Sequence, residues 1–244
     1  MRYKITIEYD GTNYSGWQRQ NGAKTIAGCL ETALFNISGK QTEILGSGRT
    51  DAGVHAKGQC AHFDMEKDWD TYKLMSALNA HLVNEEISVL KCETVPPDFH
   101  ARFSSKKRYY QYIILNRNAK EALDKNRVWK ISKELNVAAM KKAAKHLIGN
   151  HDFSSFRSSQ CGALSPVKTL DEIKITQKDE YIFIDVNAKS FKHHMVRNHV
   201  GTLDEVGLQK QKPLWAKEVL NAKDRTKAGI TAPACGLYFM KVDY

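Results

Sequence analysis

The most informative stretch of the chain is GRTDAGVHA, which occupies residues 48–56. Its two glycines, Gly48 and Gly53, allow a tight turn whose backbone can come close to a ligand. Asp51 follows Arg49 by two residues, and a carboxylate held beside a cation tends to remain ionised. The pattern therefore indicates either an ordinary polar turn between two strands or a loop that carries a catalytic carboxylate.

The composition of the whole chain favours an anionic partner. Its 244 residues include 37 Lys and Arg against 27 Asp and Glu, a formal net charge of +10. Such an excess is typical of proteins that bind nucleic acid, although a merely basic surface gives the same count. The five cysteines form no CxxC pair, which argues against a disulfide framework or a zinc site. No signal peptide or membrane span is predicted, so we expect a soluble cytoplasmic protein.

Hydrophobic periodicity outlines the first part of the chain. Alternating apolar residues predict strands, whereas apolar residues spaced by three and four predict helices, with Thr25 as an N-cap and Gly39 as a stop. A turn is expected at residues 10–13. The predicted strands cover residues 3–10, 43–45, 54–64 and 87–95, and the predicted helices cover residues 25–38 and 74–82.

The second part repeats this mixture of elements after the Pro-Pro-Asp sequence at residues 96–98. We predict an α+β fold with two domains, residues 1–104 and 105–244, each of which packs helices on a mainly antiparallel sheet. Strands are predicted at residues 108–115, 171–176, 181–188 and 237–243, and helices at residues 133–148, 191–206 and 215–220.

Two common ligand-binding motifs are excluded. The glycine spacing of residues 11–16 resembles a phosphate-binding loop, but Trp17 occupies the position of the required lysine. There is no HExxH motif. His193 and His194 are adjacent, and on a helix their side chains would diverge by about 100°, so we expect no metal there.

The predicted helix at residues 191–206 places Arg197 and Gly201 on one face, four residues apart. The glycine allows another segment to pack close to the guanidinium. Either Arg197 is a solvated arginine on an amphipathic helix, or it pairs with a carboxylate or a phosphate.

Tyrosines in the strand at residues 108–115 are equally open to two interpretations. Alternation places Tyr110 and Tyr112 on one face of the strand and Tyr109 on the other. By default these rings belong to the core or to a sheet face, but on a basic protein one of them can stack on a nucleobase.

Taken together, these segments resemble the bacterial tRNA pseudouridine synthase A family. The resemblance runs nearly from end to end of the chain, and its order makes coincidence untenable. It rests on YDG (9–11), YSGWQ (14–18), GRTDAGVHA (48–56), LNAHL (78–82), HARFS (100–104), YQY (110–112), HDFSSF (151–156), HMVRN (194–198) and TAPACGLY (231–238).

The resemblance implies an isomerase that converts uridine to pseudouridine at positions 38, 39 and 40 of the tRNA anticodon stem-loop. It also implies a continuous, mainly antiparallel sheet, an active-site cleft between the two halves, and a homodimer that needs neither a metal nor an organic cofactor. The same family pattern makes Asp51 the catalytic residue. Whether this carboxylate attacks C1′ or the base stays open at this level.

The resemblance assigns roles to further residues. Tyr110 matches the tyrosine that contacts the substrate, Arg197 the basic residue that pairs with the aspartate, and Arg49 an arginine that holds the target nucleotide out of the helix. Further RNA contacts are predicted for Trp17, Gln18, His55 and His194.

The chain departs from the family pattern in the helix that carries Arg197. Lys192, His199 and Asp204 stand where aliphatic or apolar residues are expected, and a buried polar group without a partner costs about 1–3 kcal/mol. These departures, with the +10 charge, keep open a second hypothesis, a non-catalytic RNA-binding or RNA-chaperone protein. Hydrolysis of a nucleoside or RNA bond would need a second acid or a metal site, and the sequence offers neither.

Overall fold

The computed structural model describes residues 1–158 and 165–244 of the chain. The chain divides into two compact units. The first comprises Met1–Lys106 together with the C-terminal segment Tyr238–Tyr244, and the second comprises Lys107–Leu237. The last strand of the chain therefore completes the sheet of the first unit.

In the first unit the strands pair in the order β4-β1-β3-β10, and β2 pairs with β3. The pairings of β1 with β3 and β4 are antiparallel, whereas β10 runs parallel to β3. Apolar side chains of β1 at alternate positions are fully buried, as the alternation predicts. The bounds are β1 Arg2–Tyr9, β2 Leu45–Gly46, β3 His55–Asp64, β4 Ile87–Val95 and β10 Leu237–Asp243.

Two helices accompany this sheet, α1 at Ile26–Ser38 and α2 at Thr71–His81. The Thr25 side chain accepts a hydrogen bond from the Gly28 N–H at the start of α1, and Gly39 ends the helix with a φ of 72°. Both predicted boundaries of α1 are confirmed, because a hydroxyl cap and a left-handed glycine are strong local signals.

In the second unit the strands pair in the order β5-β9-β8-β7, all antiparallel, and β6 runs parallel to β5. Three helices belong to this unit. The strands are β5 Lys107–Asn116, β6 Trp129–Ile131, β7 Gly149–Asp152, β8 Val167–Lys178 and β9 Tyr181–Ala188, and the helices are α3 Val137–Ala144, α4 Met195–Gly207 and α5 Trp215–Ala222.

Two helix predictions need correction. The helix predicted at residues 133–148 begins only at Val137, because the Asn136 side chain caps it by accepting from the Ala139 N–H. The helix predicted at residues 191–206 begins only at Met195, because His194 has a φ of 62°, in the left-handed region. The spacing of apolar residues indicates neither the Asn136 cap nor the left-handed conformation of His194.

The α+β class is confirmed, since each unit combines a mainly antiparallel sheet with helices. Among residues 1–158 and 165–244, no helix combines the length and the apolar character that crossing a membrane requires.

Candidate active site

Two glycines before α1 allow the loop at residues 48–56 to pack against them. A Cβ atom on Gly11 would lie 2.0 Å from the Val54 carbonyl oxygen. A Cβ atom on Gly16, whose φ is 86°, would lie 2.5 Å from the Thr50 carbonyl oxygen. Any larger residue would push the loop away. The YDG and YSGWQ motifs therefore fix the position of the GRTDAGVHA loop.

Hydrogen bonds hold the first half of the same loop. The Thr50 and Tyr9 hydroxyl oxygens are 2.8 Å apart, and the Trp17 N–H donates to the Thr50 carbonyl at 3.0 Å. The Gln59 amide donates to the Gly48 carbonyl at 2.9 Å. Burial raises the pKa of Tyr9 to about 12, although hydrogen bonds from Thr50 and Gln59 oppose the rise. The Tyr9 hydroxyl therefore remains neutral and keeps its bond to the loop.

Asp51 lies at the turn of this loop. Its carbonyl accepts from the Val54 N–H at 3.1 Å, and Gly53 adopts a φ of 76°. The Asp51 residue is half-buried, whereas Arg49 is exposed. A carboxylate on a braced turn with one side open can act as a nucleophile or stabilise a developing cation.

The other predicted RNA contacts of the first unit differ in exposure. Gln18 is exposed, but Trp17 and His55 are each only 2% exposed. The Trp17 ring packs against Gly46, where a Cβ atom would approach it to 2.6 Å. His55 accepts from the Gly11 N–H at Nδ1. Burial thus gives these two rings a supporting role beneath the loop.

In the second unit Tyr110 lies on β5 and is 9% exposed. Its ring meets Phe191 edge-on, with the centroids 5.0 Å apart. Tyr112 shares this face of the strand, as predicted, and its hydroxyl donates to the Pro233 carbonyl at 2.8 Å. Tyr112 is fully buried, whereas 9% of Tyr110 remains exposed, so Tyr110 is the candidate for a ligand contact.

Arg197 and Gly201 face the segment at residues 229–232, so the predicted close approach is confirmed. The Arg197 Nε donates to the Ala232 carbonyl at 2.8 Å, and the Ala232 N–H donates back to the Arg197 carbonyl at 3.2 Å. A Cβ atom on Gly201 would lie 1.8 Å from the Ile230 carbonyl oxygen. The guanidinium is thereby oriented through its Nε.

A hydrogen-bond network that the sequence does not reveal supports this segment. Arg225 donates to the Gly229 carbonyl at 2.9 Å, to Asn198 Oδ1 at 3.0 Å and to Thr231 Oγ1 at 2.9 Å. The Gly229 N–H donates to Thr202 Oγ1 at 3.1 Å. The bonds from Arg225 to Asn198 and from Gly229 to Thr202 each span 27 residues, and partners so far apart leave no pattern in the sequence.

His193 and His194 precede α4, and their ring centroids are 3.9 Å apart. The expectation that they diverge on a helix is therefore wrong, because neither residue is helical. His193 is exposed and His194 is half-buried.

The three unusual residues of the α4 region are all buried. The Lys192 ammonium donates to the Ser165 carbonyl. His199 lies between the rings of Phe153 and Phe156, with centroids 5.3 and 4.6 Å away, and neither ring nitrogen has a hydrogen-bond partner in the described part of the chain. Burial lowers the pKa of His199 to about 3 and raises that of Asp204 to about 6.

The two units hold different predicted site residues. The first carries Asp51 and Arg49 on one loop, and the second carries Tyr110 on β5 and Arg197 on α4. Each of these backbones is braced by contacts inside its own unit. In the first unit the loop presents one acid near an arginine, and a carboxylate placed in this way suits covalent or electrostatic catalysis.

Comparison with known proteins agrees with these motifs. A family model for tRNA pseudouridine synthase matches residues 5–104 and 143–244. A protein of Wolbachia pipientis wMel named tRNA pseudouridine synthase A is 51% identical over 245 residues, covering 100% of both chains. Proteins of the same name from Bartonella henselae and Ehrlichia ruminantium are 49% and 50% identical over 245 residues, covering 100% of this chain and 99% and 100% of their own.

Proposed function

The chain belongs to the tRNA pseudouridine synthase family, and from this membership we propose that it isomerises uridine to pseudouridine at positions 38, 39 and 40 of the tRNA anticodon stem-loop. Pseudouridine formation in tRNA follows from the family itself. The choice of the anticodon stem-loop, the catalytic residue and the absence of a cofactor are the additional parts of the proposal.

The reaction breaks the N1–C1′ bond, turns the uracil and joins C5 to C1′. The proton on C5 is released and N1 gains one, so no oxidant or reductant is consumed. Asp51 is the proposed nucleophile, and its attack at C1′ or at the base would give a covalent intermediate that splits one difficult step into two.

One observation carries the assignment of Asp51. The turn that presents this carboxylate is locked from two sides, by the Gly11 and Gly16 contacts and by the Thr50 hydrogen bonds, yet the residue remains partly open to solvent. Preorganisation of this kind lets a single acid act without reorganising during the reaction.

The remaining residues receive binding roles. Arg197 is proposed to pair with Asp51 and keep it ionised, and Tyr110 to confine the base while it turns. Arg49, exposed on the loop, is proposed to occupy the space of the extruded uridine and to offset part of an unstacking cost of a few kcal/mol. These assignments require residues 1–104 and 105–244 to close one cleft over the RNA.

Assembly and location complete the proposal. We expect a cytoplasmic homodimer that binds one tRNA, with Gln18 and His194 contacting the RNA and Trp17 and His55 supporting the loop beneath it. The net charge of +10 supports RNA binding.

A tritium-release assay on tRNA labelled at uracil C5 tests the proposal. Asp51→Asn should abolish release while tRNA binding persists, and Asp98→Asn, an exposed acid of the same unit, should behave as wild type. If Asp51→Asn retained turnover, the carboxylate assignment would be wrong. Binding without release by the wild-type protein would favour the non-catalytic RNA-binding alternative.

The cofactor and the target positions are tested separately. Release should continue after treatment with EDTA, and it should also continue in the His193→Ala variant, which lacks one possible metal ligand. Mapping of pseudouridine in tRNA from cells with and without the protein should show loss at positions 38, 39 and 40. Loss confined to other positions would refute the anticodon assignment.

A further inference from the structure

A basic pocket of about 300 Å³ lies in the second unit, beside the short 3-10 helix Ser154–Phe156. Its volume suits a phosphate group with part of its sugar. Three of its lining side chains are cationic and two carry hydroxyl groups. It is lined by Ser154, Arg157, Ser158, Lys223, Asp224 and Arg225.

The wall that carries Ser154 and Arg157 is anchored at two points. The Ser155 hydroxyl donates to the Val219 carbonyl of α5 at 2.6 Å. The Asn198 amide of α4 donates to the Phe156 carbonyl at 2.8 Å. Because both bonds are buried, this wall has a fixed backbone on which a ligand contact can be built.

The opposite wall is equally constrained. Lys223 directly follows α5 with a φ of 52°, in the left-handed region. Asp224 Oδ1 accepts from both the N–H and the hydroxyl of Thr226, at 2.9 and 2.8 Å. Arg225 donates three hydrogen bonds to residues 198, 229 and 231, so it adds a positive charge at a fixed position.

The pocket keeps an excess of positive charge. Within residues 1–158 and 165–244 the Arg157 guanidinium has no hydrogen-bond partner. Lys223 is 63% exposed in its side chain and lies 3.9 Å from Asp152, too far for a hydrogen bond. Burial tends to raise the pKa of Asp152, but hydrogen bonds from Ser154 and the charges of Lys223 and Arg157 lower it overall. The pocket and its surroundings thus hold three cations, Arg157, Lys223 and Arg225, and two acids, Asp152 and Asp224.

We propose that this pocket binds a phosphodiester group of the RNA backbone, with Arg157 and Lys223 as its ligands and Arg225 as a fixed source of charge. The inference rests on the proposed function for its RNA substrate. The Arg157 guanidinium, which has no hydrogen-bond partner in the described part of the chain, can bind two phosphate oxygens side by side, and the lysine adds a point charge. Such contacts set the position of the RNA without reading its sequence.

Binding of an unmodified tRNA transcript, measured at several KCl concentrations, tests the pocket. Arg157→Ala and Lys223→Ala should each weaken binding about tenfold, as loss of one charged hydrogen bond predicts. Each should also make the negative slope of log K against log [KCl] less steep by roughly 1. Arg157→Lys should restore the slope. Lys217→Ala removes an exposed lysine of α5 that does not line the pocket, and it should match the wild type.

Thermal unfolding of each variant confirms that the fold is intact before binding is compared. Wild-type slopes in both pocket variants would overturn the inference, as would an equal loss in Lys217→Ala. Wild-type protein that binds tRNA without forming pseudouridine would refute the proposed function but leave the binding comparison valid.

Discussion

Replacing His199 by leucine should stabilise the protein and change how its stability depends on pH. The imidazole is fully buried between Phe153 and Phe156, and no described residue bonds either of its nitrogens. An unsatisfied buried polar group costs about 1–3 kcal/mol, so at pH 7 the free energy of unfolding should rise by about that amount. Leucine has a similar volume and suits a helix.

The pH dependence follows from two opposed titrations. The pKa of His199 falls to about 3 in the folded state, so only the unfolded chain takes up its proton below about pH 6.5, and stability falls on acidification. The pKa of Asp204 rises to about 6 when folded, so its contribution is present at low pH and is lost as the pH rises through 6.

Between pH 6.5 and 4.5 the two effects nearly cancel. His199 should remove about 2 kcal/mol of stability over this interval, and Asp204 should add about 2 kcal/mol. His199→Leu should therefore gain about 2 kcal/mol relative to wild type on acidification, whereas Asp204→Asn should lose about 2 kcal/mol. The causes of each shift do not include the other residue, so the double variant should be additive.

Urea unfolding at constant ionic strength, followed by circular dichroism at pH 4.5, 5.5 and 6.5, measures these differences. All other titrating groups are shared, so each difference from wild type isolates one side chain. If the difference between His199→Leu and wild type stayed constant with pH, His199 would not be held neutral by burial and the reasoning would fail.

Three further substitutions probe the contacts that hold the site. Gly16→Ala should displace the Asp51 loop, because its Cβ would lie 2.5 Å from the Thr50 carbonyl oxygen at a φ of 86°; urea unfolding should show a loss above about 1 kcal/mol, with tritium release reduced more than tRNA binding. Gly201→Ala, with its Cβ 1.8 Å from the Ile230 carbonyl oxygen, should reduce kcat/KM at least tenfold, and an unchanged value would show that residues 229–232 do not orient Arg197. Tyr112→Phe should cost about 1 kcal/mol in urea, since it leaves the Pro233 carbonyl without its donor; a neutral result would place water at that carbonyl.

The sequence predicts those parts of the fold that local signals control. Alternation along β1 and the Thr25 and Gly39 caps of α1 define their elements within a residue or two. The bounds of β10, which directly follows the short 3-10 helix Ala234–Gly236, are also predicted correctly. These features depend on neighbours in the chain, which a single sequence contains.

What the sequence does not predict depends on residues far apart. The predicted start of α4 is wrong because His194 adopts a left-handed conformation, which the spacing of apolar residues does not indicate. The bonds from Arg225 to Asn198 and from Gly229 to Thr202 join segments that the chain separates by helix α5 and its loops. The residue types of the site could thus be named from sequence, but their supports could not.

The glycine contacts explain why particular motifs occur together in one chain. The motifs at residues 9–18 and 48–56 pack against each other at Gly11 and Gly16. Each motif therefore depends on the presence of the other. Residues 194–201 and 229–233 are joined in the same way, through Gly201 and the paired bonds between Arg197 and Ala232. His199 instead packs on Phe153 and Phe156, and it takes no part in these contacts between residues 194–201 and 229–233. A polar residue there therefore lowers stability while leaving the orientation of Arg197 intact, which is why His199→Leu should change unfolding far more than turnover.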